Sequence, residues 1–144
     1  MLVALLREMQ QNIRTTLEKS LEAITDPQQK LGIFLDQAFG LVENEREYVY
    51  VTFDFLTQVK YNERMRRTMT KLYRGYRETC AQILREGKEK GTFIELDEHY
   101  IAALIVAIFL GVWEQNIIDN TAFFYREYTT KIKSAIFEMI LVKE

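Results

Sequence analysis

Residues 87–113 read GKEKGTFIELDEHYIAALIVAIFLGVW, and this stretch decides the fold. It begins with the charged end of a helix, which Gly91 is suited to stop, and continues through a short polar joint. From Tyr100 to Trp113 it then runs for 14 residues without a charge. That run is shorter than the roughly 20 apolar residues that a membrane helix needs. Glu114 follows it at once, so we expect a helix that is buried in protein.

The composition fits one soluble globular domain. The chain has 144 residues, of which 48% are hydrophobic and 28% charged. Its net charge of −2 gives no overall attraction to nucleic acid or acidic lipid. The single cysteine, Cys80, cannot form an internal disulfide, which favours a reducing, cytoplasmic location.

Apolar residues recur at steps of three and four along almost the whole chain, which predicts about six helices. The predicted elements are Met1–Thr25, a helix capped by Asp26, a third over Tyr48–Val59 capped by Asn44, a fourth capped by Asn62, a fifth capped by Asp97, and a sixth after Asn120. The third segment also has the β-branched and aromatic content of a strand. We assign it as a helix because no partner strand is predicted elsewhere. The fold class is therefore an all-α, antiparallel helical bundle.

The last two helices carry more apolar surface than a small domain can cover. The fifth is apolar on all sides, and the sixth has a wide apolar face. In a two-fold homodimer they would pack against their own copies as a four-helix bundle. The predicted interface residues are Phe109, Phe124, Tyr128, Ile132, Ala135, Ile136 and Met139.

Residues 83–115, ILREGKEKGTFIELDEHYIAALIVAIFLGVWEQ, combine the pattern L-x-E-G-x-x-x-G-x-F, an acidic cap and an alanine-rich apolar helix. This combination resembles TetR-family bacterial transcriptional regulators, and the likeness covers essentially the whole chain. It implies one ligand-binding and dimerisation domain over residues 1–144, in which residues 1–25 form the helix that leads to the DNA-reading head. That helix-turn-helix head would precede Met1 and is absent from the chain. Operator DNA is therefore expected as a partner only through the missing N-terminal domain.

The resemblance further implies a pocket for a small hydrophobic or aromatic effector among the middle helices. Pockets of this kind are mostly apolar, with a few polar groups that orient the ligand. The candidate ligand-binding residues are Phe34, Gln37, Phe53, Phe55, Met69, Tyr73, Tyr76, Trp113 and Asn116. The same side chains would also serve simply to pack a core. A cationic effector would additionally need Glu114 or Asp54 buried beside the rings.

Catalytic and metal chemistry have little support in the residues. His99 is the only histidine, and no Cys/His cluster or Glu-x-x-His spacing accompanies it. Cys80 lies on an apolar helical stripe, which is typical of a buried cysteine rather than a nucleophile. We therefore predict no enzyme, no metal and no cofactor.

Two alternatives stay open at this point. Arg64, Arg67, Lys71 and Arg74 form a basic stripe that would suit a phosphate backbone, although a solvated helix face has the same pattern. The chain would also fit a helical-bundle protein–protein interaction domain that has no small-molecule pocket. A ligand-dependent rise in melting temperature separates a sensor from such a domain.

Overall fold

The computed structural model describes residues 2–143, which form six helices. These are α1 (Leu2–Leu21), α2 (Pro27–Asn44), α3 (Arg46–Leu56), α4 (Glu63–Glu89), α5 (Glu98–Ile118) and α6 (Tyr125–Ile140). Residues 2–143 contain no strand, only one isolated β-bridge between Phe93 and Leu141. The all-α prediction is confirmed, and so is the helix assigned to the ambiguous third segment.

Three of the four predicted N-caps are present. Asp26, Asn62 and Asp97 each accept a hydrogen bond from a backbone N–H in the first turn of α2, α4 and α5. The cap predicted at Asn44 is wrong, because α2 continues through that residue. The chain bends instead at Glu45, whose backbone lies at φ −134° and ψ 51° and whose side chain makes no capping bond. The bend leaves only Glu45 between the two helices, within a run of five exposed polar residues at 43–47.

The glycine motif at the end of α4 forms a tight turn around a buried ring. Gly91 adopts φ +75°, a left-handed conformation that glycine takes without steric cost. The N–H groups of Thr92 and Phe93 then donate to the carbonyl oxygen of Gly87, at 2.9 and 3.1 Å. This turn places the Phe93 ring directly over Gly87, where no side chain stands in its way. The pattern G-x-x-x-G-x-F thus reverses the chain so that α5 can pack on α4.

A group of charged residues stabilises the joint between α4 and α5 from outside. The Glu98 carboxylate accepts hydrogen bonds from Lys88 Nζ at 2.8 Å and from Arg85 Nε at 3.1 Å. Lys88 also donates to the Leu96 carbonyl oxygen at 3.1 Å. These bonds, of which the one from Lys88 contributes most, lower the pKa of Glu98 to about 2. The end of α4 and the start of α5 are therefore held together by ionised groups at neutral pH.

The depressed pKa of Glu98 predicts an acid-labile contribution to stability. A carboxyl whose pKa is lower in the folded state stabilises the fold above its unfolded value of about 4.5, and that stabilisation is lost as the pH falls toward 2. We expect Glu98→Gln to lower Tm at pH 7 and to flatten the fall of Tm between pH 4.5 and 2. Circular dichroism melts across this range test it. Glu95→Gln is the matched control, because the Glu95 side chain is 91% exposed and its Oε1 lies 3.8 Å from Lys88 Nζ, too far for a strong hydrogen bond. Equal behaviour of the two variants would contradict the prediction.

Helices α5 and α6 are only partly covered by their own chain. One side of α5 lies in the core through Ile105, Phe109 and Trp113, while the other leaves Tyr100 and Ile118 exposed at 69% and 75%. Within residues 2–143, α5 is the one helix long and apolar enough to cross a membrane, a test that helices of soluble proteins also pass. Only 33% of its apolar window is buried in the chain. The uncharged run is thus half core and half uncovered surface.

Helix α6 lies along α2 and contributes little to the core. Lys133 Nζ binds the Asp36 carboxylate at 3.0 Å, and the Tyr125 hydroxyl donates to the Phe39 carbonyl oxygen at 2.6 Å. Only Ile136 and Ile140 of this helix are buried. The remaining apolar side chains of α6 are therefore exposed or half-buried.

Candidate functional site

A small apolar cavity lies between α1, α2, α4 and α5. Its volume is about 40 Å³. Each of the four helices contributes to the wall: Gln10, Ile13, Arg14 and Leu17 from α1, Phe34, Gln37, Ala38 and Leu41 from α2, Gly75, Tyr76 and Thr79 from α4, and Phe109 and Trp113 from α5. The cavity holds one or two water-sized molecules, whereas ligand sites typically measure about 300–1,000 Å³. A larger molecule can enter only if part of the wall moves.

Four aromatic rings form the inner wall in edge-to-face and tilted contacts. The centroid of Phe109 lies 5.1 Å from Trp113, 5.4 Å from Tyr76 and 6.3 Å from Phe34. Tyr76 also meets Trp113 at 6.5 Å with nearly perpendicular planes. Such geometries are favourable beyond the area they bury. Four rings in mutual contact therefore make up much of the inner wall.

Polar atoms of this wall are fixed by bonds to neighbouring groups. Trp113 Nε1 donates to the Ala38 carbonyl oxygen at 2.8 Å, and Gln37 Nε2 donates to the Ile13 carbonyl oxygen at 3.0 Å. The hydroxyls of Tyr48 and Tyr76 share a hydrogen bond, and burial raises the pKa of Tyr48 to about 12. Both phenols are therefore neutral at physiological pH.

The outer wall belongs to α1 and is much less well covered. Along this helix only Val3 and Leu6 are buried among the described side chains. The residues that cover the cavity, Gln10, Ile13 and Leu17, are half-buried. This part of α1 is therefore less buried than the walls that α2 and α5 form.

The structure brings together four of the nine predicted ligand residues: Phe34, Gln37, Tyr76 and Trp113. The other five do not line this cavity. Phe55 and Met69 are buried elsewhere, Phe53 and Tyr73 are half-buried, and Asn116 borders a narrow gap near the start of α6. All five lie on inward or half-inward helical faces, but at other levels of the bundle.

Two predicted dimer residues are corrected as well. Phe109 and Ile136 are only 1% and 3% exposed within the chain, so neither can contact a partner chain. Phe109 belongs to the cavity instead, and its position four residues before Trp113 was the sequence signal for that face. The other five face outward or are half-buried: Phe124, Tyr128, Ile132, Ala135 and Met139.

Other chemistry finds little support in the described residues. No group of three potential metal ligands occurs within the described part of the chain. Burial raises the pKa of the Cys80 thiol to about 12, which leaves it protonated and inert. Asp54 and Glu114 are exposed and do not line the cavity, so the carboxylate that a cationic effector would need is not there. The basic residues of α4, Arg64, Arg67, Lys71 and Arg74, are exposed.

Residues 27–124 match the C-terminal domain of BetI-type transcriptional repressors, a TetR-type family. The chain belongs to this family. The resemblance seen in the glycine motif and the apolar helix is thereby confirmed. A search of curated protein sequences gave no match.

Solved structures of transcriptional regulators share the fold. The chain superposes on a transcriptional regulator from Saccharomonospora viridis in complex with choline with a TM-score of 0.88 and 19% identity, covering 99% of this chain and 74% of that one. For the FadR regulator from Bacillus subtilis in complex with stearoyl-CoA, the TM-score is 0.80 at 18% identity, covering 94% and 73%. A TetR regulator from Haloarcula marismortui gives 0.85 at 16% identity, covering 98% and 73%. At these identities the likeness concerns the fold alone.

Proposed function

We propose that this chain is the ligand-sensing and homodimerisation body of a cytoplasmic TetR-type regulator. A small molecule that enters the cavity changes the position of α1, and α1 passes that change to a DNA-reading head. Family membership supports the regulatory role, and similar folds carry choline or stearoyl-CoA in other proteins. The body itself makes no bond and breaks none.

The observation that carries this proposal is the asymmetry of the cavity wall. The α2 and α5 sides consist mostly of buried residues, whereas α1 and α4 contribute none that is buried. Tyr76 of α4 is held by ring contacts with Phe109 and Trp113, and α1 contributes no ring to the wall. A ligand larger than 40 Å³ therefore displaces α1 rather than the aromatic wall. Ligand binding and the position of α1 become coupled, and about 1–3 kcal/mol of coupling suffices for regulation.

A side chain added inside the cavity tests ligand binding. Gly75 lines the cavity, and a Cβ added there would meet no atom within 4 Å. We expect compounds from a thermal-shift screen to raise the Tm of the parent chain by several degrees, and Gly75→Leu to abolish that rise. Fluorescence of Trp113, the sole tryptophan, reports the same binding.

The matched control is Glu78→Leu, which places the same side chain on the exposed face of α4 one turn away. It should leave the ligand-induced shift unchanged. A chain that no compound stabilises, or one whose shift survives Gly75→Leu, would instead favour an interaction domain without a pocket.

A further inference from the structure

A second opening adjoins the cavity and has a different character. It is a groove of about 170 Å³ between α1 and α4, and it shares Gln10 and Arg14 with the cavity wall. Arg7 of α1 and Lys71 of α4 also line it. The apolar cavity and the polar groove thus adjoin at two residues of α1.

The groove is strongly basic in a chain that is slightly acidic. Its cations are Arg7, Arg14 and Lys71, and no carboxylate lines it, although the chain has 21 acidic against 19 basic residues. Within residues 2–143, neither Arg7 nor Lys71 forms an ion pair, and Arg14 has only an exposed partner, Glu18, at 3.4 Å. Three cations around one groove, with the exposed Glu18 beside Arg14 as their one ion-pair partner among the described residues, attract an anion.

We propose that the effector is an amphipathic anion, with an apolar or aromatic body in the cavity and one carboxylate or phosphate ester in the groove. This inference rests on the proposed function and names the ligand class for the same site. Arginine binds carboxylate and phosphate oxygens through two parallel N–H donors. The anion bridges Arg7 and Arg14 of α1 to Lys71 of α4, so its charge acts on the helix that covers the cavity.

A cationic effector fits the same wall poorly. The positive charge of such an effector would lie near Arg14, and no carboxylate lines either opening to balance it. The aromatic rings alone offer a cation only a modest attraction. The groove therefore selects the sign of the effector's charge, and the cavity selects its apolar body.

Matched ligands test the charge preference on the full 144-residue chain. The series is 4-phenylbutyrate, 4-phenylbutyl phosphate, 4-phenylbutanol and 4-phenylbutyl-trimethylammonium, with Kd read from Trp113 fluorescence and from Tm. We expect both anions to bind at least ten-fold more tightly than the alcohol, and the cation to bind more weakly than the alcohol. Raising the salt concentration should weaken only the anions, because surface charges are screened.

Single-charge variants locate the anion. Lys71→Gln and Arg7→Gln should each weaken 4-phenylbutyrate about five-fold and leave 4-phenylbutanol unchanged. Arg66→Gln is the control, since Arg66 is exposed on α4 and does not line the groove. Inorganic phosphate alone should bind at least ten-fold more weakly than 4-phenylbutyl phosphate. Equal binding of the two would mean a simple phosphate site and would overturn the amphipathic ligand.

Different results would exclude the anion site and the sensing function. Anions that do not bind, that bind no better than the alcohol, or that ignore Lys71→Gln overturn the inference. If the alcohol or the cation still binds and Gly75→Leu abolishes its binding, the sensing function stands without the anion site. If the screen finds no compound sensitive to Gly75→Leu, the proposed function falls as well.

Discussion

Gly87→Ala should destabilise the chain by about 1–3 kcal/mol, the usual cost of overpacking a core. A Cβ at this position would lie 2.8 Å from Phe93 Cγ and nearer still to two other carbons of the ring. Phe93 is 2% exposed, so its ring cannot move aside without opening the core. Alanine gains up to about 1 kcal/mol in helix propensity, which offsets only part of this cost.

Urea unfolding followed by circular dichroism measures the effect, at one fixed protein concentration because subunit association adds to stability. Gly75→Ala on the same helix is the control. With open space around its Cβ, it should stabilise by about 0.4–1 kcal/mol. In a Phe93→Ala background the penalty of Gly87→Ala should shrink or vanish. Equal stability of Gly87→Ala and Gly75→Ala would show that the Phe93 ring tolerates a side chain at position 87, and would contradict the prediction.

Ala107→Glu should convert a dimer into a folded monomer. Ala107 is exposed on the uncovered side of α5, between Leu104 and Ile118. In the proposed four-helix interface this substitution buries one carboxylate from each protomer, and desolvation of an unpaired charge costs several kcal/mol. Helix content should be retained, because the side chain points away from the core of its own chain.

Sedimentation equilibrium over a dilution series gives the result. The parent chain should show twice 17.1 kDa and Ala107→Glu should show 17.1 kDa. Ala23→Glu, in the exposed turn after α1, is the matched control and should stay dimeric. A parent chain that is monomeric at all concentrations, or an Ala107→Glu variant that remains dimeric, would contradict the interface.

Local signals determined most of the fold in advance. Asp26, Asn62 and Asp97 were predicted as N-caps because a short polar side chain before a periodic apolar run can accept a hydrogen bond from the first turn of the helix, as all three do. The end of α4 was predicted from Gly91 for the same local reason. The break between α2 and α3 was predicted one residue early, at Asn44, because the backbone of Glu45 makes the bend without a side-chain cap.

The candidate site was predictable only in part. Helical periodicity shows which side of a helix faces inward, and Phe34, Tyr76 and Trp113 do line the cavity. It does not show at which level two helices meet, so Phe55 and Met69 faced inward but away from the cavity. The role of α1 as a wall, and the basic groove behind it, depend on contacts between residues about 60 positions apart, which periodicity along one helix cannot reveal.

A molecule bound in the cavity is expected to change the position of α1. Hydrogen exchange of the backbone amides, with and without a compound that passes the Gly75→Leu test, measures this most directly. We predict changed exchange across residues 10–17, which cover the cavity, and little change in α6, which does not line it. Exchange that changes in α2, α4 and α5 while α1 stays as before would mean that the compound binds without reaching the helix, and would contradict the account.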